Sequence, residues 1–365
     1  MIHLKKISIN QLICLVITTQ IGAHVLSIPY AESRHTGHDA WISVLVGGLF
    51  SQVVILVIYQ LGKRYPTLTF QQYIYQIIGR PIGVILNFLF ALFCAQNCII
   101  VVITYSDILH RWMLYETPWI ALVGLSFLMA AYTASSSLRS ISTVSQSVLT
   151  LLVICAVIII ISGLGKGSWL HLLPFGTHGI VAVLKDSIPT FSAYTGFEIL
   201  LYVFPFVQCK KKIEILFAMT LANGITTFFY LLITIIVTYN FSETQLNTIT
   251  EPMVFILRKF RWPVVQSLDI VFMTIWLSII TATVYVYLFM SARYIANIPK
   301  KEINRHSLLV WLIAGFAVVI SCFCADRQRI FHYSDVHNVL SFIMIVVLPT
   351  FLLLGSIIRE KVAKG

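Results

Sequence analysis

An all-α integral membrane protein of about ten transmembrane helices is the fold that this sequence predicts, and three observations carry the expectation. Hydrophobic residues fill 58% of the 365 positions and charged residues 11%, against roughly 25% charged in a soluble domain. Apolar runs of bilayer-spanning length fall near 8–30, 40–61, 83–106, 118–134, 144–163, 180–207, 213–239, 263–291, 307–323 and 336–358. The first and sixth of these runs are interrupted by glycine, proline and polar residues, and each leads a set of five. A single transmembrane domain over 1–365 is expected, with one repeat at about 8–163 and a second at about 180–358.

Charge and composition narrow the class. The formal net charge of +11 suggests nucleic acid only for a soluble protein; at a mean hydropathy of +0.90 the basic residues must first be sorted by membrane side. Placing the amino terminus in the cytoplasm puts about 16 of the 25 Lys and Arg residues there, among them Lys5, Lys6, Lys63, Arg64, Arg139, Lys210 to Lys212, Lys300 and Lys301. Both termini are then cytoplasmic. Arg258, Lys259 and Arg261 are the main exception, in the longest external loop. Met1 to Asn10 is basic, but the apolar run that follows has full span length, so no removable signal peptide is read. Seven cysteines give no disulfide framework, and Cys322 and Cys324 are too close for a CxxC zinc motif. HExxH, Walker, GxSxG and paired intramembrane Asp patterns are missing, so no catalytic residue is assigned. His110, His171, His178, His332 and His337 are scattered over external ends without metal-ligand spacing; neither metal nor cofactor is expected.

The first span contains Thr18-Thr-Gln-Ile-Gly-Ala-His-Val-Leu-Ser-Ile-Pro29, which sets Gly22, polar groups and Pro29 inside an apolar run. Between the second and third spans, Phe70, Tyr73, Ile74 and Ile77 recur at helical spacing and suit a helix on the inner surface. The sixth span, Ser187 to Phe206, cannot be one continuous helix. Pro189 and Pro205 each remove a backbone donor, and Gly196 stands between them beside Ser192 and Thr195. Freed backbone is tolerated at membrane depth only where it is buried in protein or lines a cavity. Glu198 lies near mid-span, where an ionised group is expensive unless paired or hydrated. Two readings follow: a polar pocket with Glu198 on its wall, or a plain kink with Glu198 hydrogen-bonded to a neighbouring helix. A second broken span in the matching place favours the pocket, because half-helix ends offer N–H groups to a substrate carboxylate. Asn240 to Trp262 is polar around Met253 to Leu257 and can cap an external vestibule, and Ala292 to His306 reads as a basic internal linker.

At these residues the chain resembles the amino acid–polyamine–organocation transporter superfamily. The first span is similar to its Gly-rich motif ending in Pro, and Phe191-Ser-Ala-Tyr-Thr-Gly-Phe-Glu198 to its FxAYxGFE-type motif. Within it the likeness is to the spore germination permeases, the B subunits of germinant receptors in endospore-forming bacteria. Gly37-His-Asp-Ala-Trp-Ile-Ser43, Gly196-Phe-Glu with Pro205, and Tyr333-Ser-Asp335 support it. The resemblance implies a LeuT-like 5+5 inverted repeat with broken helices 1 and 6, and a site for a small germinant such as an amino acid between spans 1, 3, 6 and 8. It implies assembly with A and C subunits in the inner membrane of the spore, and a ligand sensor; the alternative is a proton-coupled amino acid symporter. Two departures stand out: Ser145 to Gly163 contains no Lys of the kind that replaces sodium in some relatives, and Gln266-Ser-Leu-Asp269 lacks a Glu-Arg pair.

The candidate ligand-binding residues are Gly22, Ala23 and His24 in the first break, and Tyr194, Thr195, Gly196, Phe197 and Glu198 in the sixth. Thr274 and Ser278, with Thr281, share one face of the eighth span and can look toward the first break or contact neighbouring helices. His24 can meet a ligand or a backbone carbonyl. Tyr105 and Asp107 can gate or anchor the third span. Trp276, Tyr285 and Tyr287 read as packing residues.

Overall fold

The computed structural model describes residues 6–165, 167–260, 268–298 and 305–364, with side chains to Glu360, and every regular element among them is a helix. In chain order these are α1 (Ile9–Gln20), α2 (Ala40–Arg64), α3 (Phe70–Ile78), α4 (Arg80–Trp112), α5 (Trp119–Ala134), α6 (Leu138–Gly163) and α7 (Gly179–Ala193). They continue as α8 (Leu200–Val203), α9 (Ile213–Asn240), α10 (Glu243–Leu246), α11 (Pro252–Lys259), α12 (Leu268–Ala296), α13 (His306–Phe323), α14 (Arg327–Phe342) and α15 (Leu348–Lys364). A π-helical turn, Ile343–Val347, joins α14 to α15. Among the described residues, seven helical segments are long and apolar enough to cross a membrane, and α1, α5 and Phe197–Phe206 are shorter apolar stretches. Large apolar side chains such as Leu49, Leu125, Phe228 and Phe316 are exposed on their outer faces, as lipid-facing residues are. The protein is multi-pass.

Local chemistry sets several of the boundaries. Ser8 accepts the Gln11 N–H while Gln11 Oε1 accepts the Ser8 N–H, a reciprocal cap that starts α1. Thr69 and Gln72 do the same for α3. Gly79, at φ 92°, turns the chain from α3 into α4. The sequence places α3 on the inner surface; its Phe70 is buried, with its ring centroid 5.0 Å from that of Phe90, so the helix is joined to the bundle. The third span runs beyond the expected 106 to Trp112, because Asp107 and Arg111 pair across one turn and keep the helix intact. The tenth begins at Arg327, before the expected 336. The loop Asn240 to Trp262 forms α10 and α11 as far as it is described. The expected start of the eighth span at 263–267 with Gln266, residues 299–304 of the basic linker, Arg261, Trp262 and the first five residues lie outside the described residues.

Packing is organised by polar side chains reaching backbone carbonyls. Along α4 and α12, Tyr105 donates to Met273 O at 2.6 Å and Ser291 to Ala91 O at 2.8 Å, which locks the two long helices near both ends. α2 lies close to α7 and α9 because it presents Gly47 and Gly48. A Cβ on Gly47 would fall 2.7 Å from Thr190, and one on Gly48 would fall 2.5 Å from Thr227. At the face where the described chain begins, Ile7 N–H donates to Phe206 O at 3.0 Å and Gln208 N–H to Ile7 O at 2.8 Å. The near ends of both broken spans are thus held together.

At the opposite face, Arg111 donates to Asp107 Oδ2 at 2.8 Å and to Glu251 Oε1 at 2.7 Å, and Arg327 stands 3.6 Å from the same Glu251 oxygen. Burial acts to raise the Glu251 carboxyl, but the hydrogen bonds from Arg111 and Thr250 and the charges of Arg111 and Arg327 hold it below the usual carboxylate range. A carboxyl with a lowered folded-state pKa stabilises the fold above its unfolded value, about 4.3, and the contribution fades as pH falls through the lowered value. The thermal unfolding midpoint of detergent-solubilised protein should therefore fall between about pH 5 and pH 3, and Glu251→Gln should flatten that fall. Arg111→Ala should destabilise the protein at neutral pH by about 1–3 kcal/mol, since it strips two carboxylates of their main donor.

Candidate functional site at the paired breaks

α1 ends at Gln20, where the Ile21 N–H still reaches Ile17 O at 2.9 Å, and the chain resumes after Gly22 as a 3-10 turn, Ala23–Leu26. α7 ends at Ala193, and Gly196 adopts φ 132°, a conformation that side chains other than glycine rarely take. A Cβ on Gly196 would lie 2.7 Å from Gln20 N and 2.8 Å from Thr19 C. The two breaks are therefore packed backbone against backbone.

Each break releases peptide groups that need partners at membrane depth, and the described side chains supply many of them. The Tyr230 hydroxyl lies 2.8 Å from Gln20 O and 2.9 Å from Ala193 O, so one donor serves a carbonyl of each break. The Gln20 side chain donates to Tyr194 O at 3.0 Å and accepts from Thr226 at 2.9 Å. Thr283 stands 3.3 Å from both Thr18 O and Thr19 O. Glu198 is fully buried; Oε2 accepts the Gly196 N–H at 2.7 Å and Oε1 accepts the hydroxyl of Tyr287. The glutamate thus serves the break itself, with one oxygen on backbone and the other on α12.

Above the first break lies a vestibule of about 330 Å³. Ala23 and His24 contribute from the first break, Pro189 from α7, Ile100 and Thr104 from α4, and Asn338 from α14. Its walls carry both signs of charge, with Asp107 and Asp335 against Arg34, Lys185 and Arg327, and beside them Glu32, whose carboxyl burial pushes up to about 7. Asp186, also on the wall, accepts the His35 and Thr36 N–H groups at 2.9 Å each and the Thr36 hydroxyl at 2.8 Å. It fastens the turn that follows the first break to α7.

Gly22, Ala23, His24, Tyr194, Thr195, Gly196, Phe197 and Glu198 all lie at the two breaks. Ala23 and His24 line the vestibule; Tyr194 is buried with its hydroxyl on Val44 O at 3.0 Å, Phe197 is buried, and Thr195 bonds back to Ser192 O at 2.9 Å. Thr274 is exposed and its hydroxyl returns to Ile270 O at 2.8 Å, while Ser278 is half-buried. The α12 side chains that meet the breaks are instead Thr283 and Tyr287, the latter read from sequence as packing. Gln20, Thr226, Tyr230 and Asp186 are further polar residues of the site that the sequence analysis did not single out. Thr226 with Tyr230, and Thr283 with Tyr287, sit four apart on apolar helices, which puts each pair on one face and is the signal that could have found them.

The two glycines differ in what they tolerate. A Cβ on Gly22 meets Thr283 Oγ1 at 3.4 Å, an ordinary contact. Gly22→Ala should stay within about 1 kcal/mol of the parent in thermal unfolding, whereas Gly196→Ala should cost about 2–4 kcal/mol through backbone strain and overlap with Gln20. Equal effects at both positions would show that the breaks do not pack in this way.

Comparison with known proteins places this architecture. The family described as Spore germination protein matches residues 6–330. Spore germination protein YndE of Bacillus subtilis (strain 168) is 25% identical over 362 residues, covering 98% of both chains. Spore germination protein GerQB of Bacillus cereus is 24% identical over 321 residues, covering 87% of this chain and 86% of the relative. Among solved structures, a Na+-coupled sialic acid symporter in a substrate-bound outward-open state superposes with a TM-score of 0.69 at 12% identity, covering 94% of this chain and 79% of its own. MhsT in complex with L-phenylalanine gives 0.63 at 13% identity, covering 94% and 87%. At that identity the structural likeness shows the fold, which is the LeuT fold of membrane transporters, and neither family nor fold is that of an enzyme. With a family match over most of its length, and relatives aligned almost end to end, the chain belongs to the spore germination protein family.

Proposed function

We propose that this chain is the germinant-sensing membrane subunit, the B type, of a spore germinant receptor, and that it takes a small zwitterion such as an amino acid. The observation that carries the reading is the vestibule, walled by carboxylates and cations together, that ends on Ala23 and His24 of the first break. A zwitterion satisfies both signs at once, and 330 Å³ holds a molecule of amino-acid size. Below it, the hydrogen bonds of Gln20, Tyr230, Glu198 and Tyr287 form a closed set that a ligand reaching Gly22 and Tyr194 to Glu198 must exchange for its own. Such an exchange is a bistable element of the kind a sensor needs: binding shifts the population of closed and open breaks. The receptor is proposed to include A and C subunits and to sit in the inner membrane of the spore, both termini on the core side.

A second reading, proton-coupled amino acid symport, draws on one feature, the buried carboxyl of Glu198 bonded to a hydroxyl on the long α12 helix. Saturable amino acid uptake into proteoliposomes, driven by an imposed proton gradient, would support it; sensing without uptake would not.

Germination dose-response curves, with immunoblots for abundance, test the proposal. His24→Ala and Asp335→Asn should each raise the half-maximal germinant concentration at least tenfold, about 1.4 kcal/mol, at unchanged abundance. Unshifted curves for both, with normal abundance, would rule out the vestibule as the sensing site. Glu198→Gln separates two roles: a sharply weakened response at normal abundance marks a counter-ion, and an unshifted response leaves Glu198 as a partner of Gly196 and Tyr287 alone.

A further inference from the structure

On the vestibule side, outside the breaks, three segments remote in sequence bring His38, Asp39, His178 and Glu243 together. His38 and Asp39 lie in the turn that leads into α2, His178 immediately precedes α7, and Glu243 opens α10. One ligand atom from each of His38, Asp39 and His178 can be chosen so that all lie within 4.8 Å of one another. Glu243 is seated against the turn by Gly37, whose φ is 50° and whose added Cβ would fall 2.4 Å from the carboxyl carbon of Glu243.

The hydrogen bonding determines which ring atoms face inward. Glu243 Oε2 is 3.2 Å from His38 Nδ1, and its Oε1 is 3.2 Å from His178 Nε2. A carboxylate accepts, so both of those nitrogens donate. His38 Nε2 and His178 Nδ1 then both face Asp39 Oδ2, at 3.9 and 3.3 Å. The Pro174 carbonyl can only accept, so the same His38 nitrogen donates to it. Thr177 Oγ1 lies between the two rings, 3.4 Å from His38 Nε2 and 3.2 Å from His178 Nδ1. Asp39 is held in place by the Gly176 and Thr177 N–H groups at 3.0 and 3.1 Å. Ligation by an imidazole displaces a ring proton, so a cation taken up here replaces the one on His38 Nε2.

The geometry points to a divalent transition cation of the Zn²⁺ class, bound by His38 Nε2, His178 Nδ1 and Asp39, with Glu243 holding both imidazoles from behind. Donors about 2.0–2.1 Å from a tetrahedral zinc are roughly 3.3 Å apart, close to the Asp39–His178 separation and a little under the Asp39–His38 one. A carboxylate on the far nitrogen of a ligating histidine is a recurrent outer-shell arrangement, and imidazole with carboxylate suits this class of metal. The Glu243 side chain is 44% exposed and that of His178 24%, so the cation arrives from the solvent. Bound there, it joins the turn beyond the first broken span, the loop feeding the sixth and the start of α10. This staple is independent of what the vestibule binds.

The test uses the purified full-length chain, stripped with chelator and titrated with Zn²⁺ by calorimetry and with Co²⁺ by visible absorption. One saturable equivalent is expected, with a Co²⁺ ligand-field band that Zn²⁺ displaces and a raised unfolding temperature. His178→Ala should abolish the band, Glu243→Gln should weaken affinity about 10–100-fold, and His332→Ala, outside the cluster, should change neither. The absence of stoichiometric Zn²⁺ binding to the parent chain, or equal binding by His178→Ala, would overturn the proposal.

Discussion

A broken helix at membrane depth must find partners for every peptide group it releases, and the structure depends on how that demand is met. The two breaks are placed against each other and share their partners. Tyr230 reaches a carbonyl on each side, Gln20 spans from one break to Tyr194 of the other, and Glu198 takes the Gly196 N–H while holding α12 through Tyr287. Only glycine fits at 196, because the backbone of Gln20 occupies the space of a Cβ. An unsatisfied buried peptide group costs several kcal/mol in hydrocarbon, so these bonds are conditions for the break to exist at all.

The surrounding helices fasten that junction by hydrogen bonds to backbone on one side and by charged side chains on the other. α4 and α12 are bonded side chain to carbonyl near both ends, and Ile7 with Gln208 joins the near ends of the broken spans. Toward the vestibule, the connections are charged or polar: Asp186 to the 35–36 turn, and Arg111 with Arg327 around Glu251.

Function follows from the site more than from the fold, since one fold can carry many functions. The chain contributes a mixed-charge vestibule, a closed set of hydrogen bonds below it, and a His/Asp/Glu cluster at the outer ends of the same two spans. Each acts on the relation between the first and sixth spans.

Bilayer crossing, the order of the spans and the location of the two breaks were legible in the sequence, because hydropathy and the backbone limits of glycine and proline are local properties. So was the group Gly22 to His24 and Tyr194 to Glu198, which needs only its own segments to be recognised. The partners of the breaks were not. Thr274 and Ser278 share a face of the eighth span as plausibly as Thr283 and Tyr287 do, and only the rotation of α12 against α1 decides which pair turns inward. Tyr287 and Tyr230 carry hydroxyls that look like packing until a carboxylate or a carbonyl is set opposite them. His38 and His178 are 140 positions apart, so no spacing rule joins them, and the loops that do so are placed by α2 and α7. Local chemistry determined where the chain must break; the packing of distant helices decided what fills the gap.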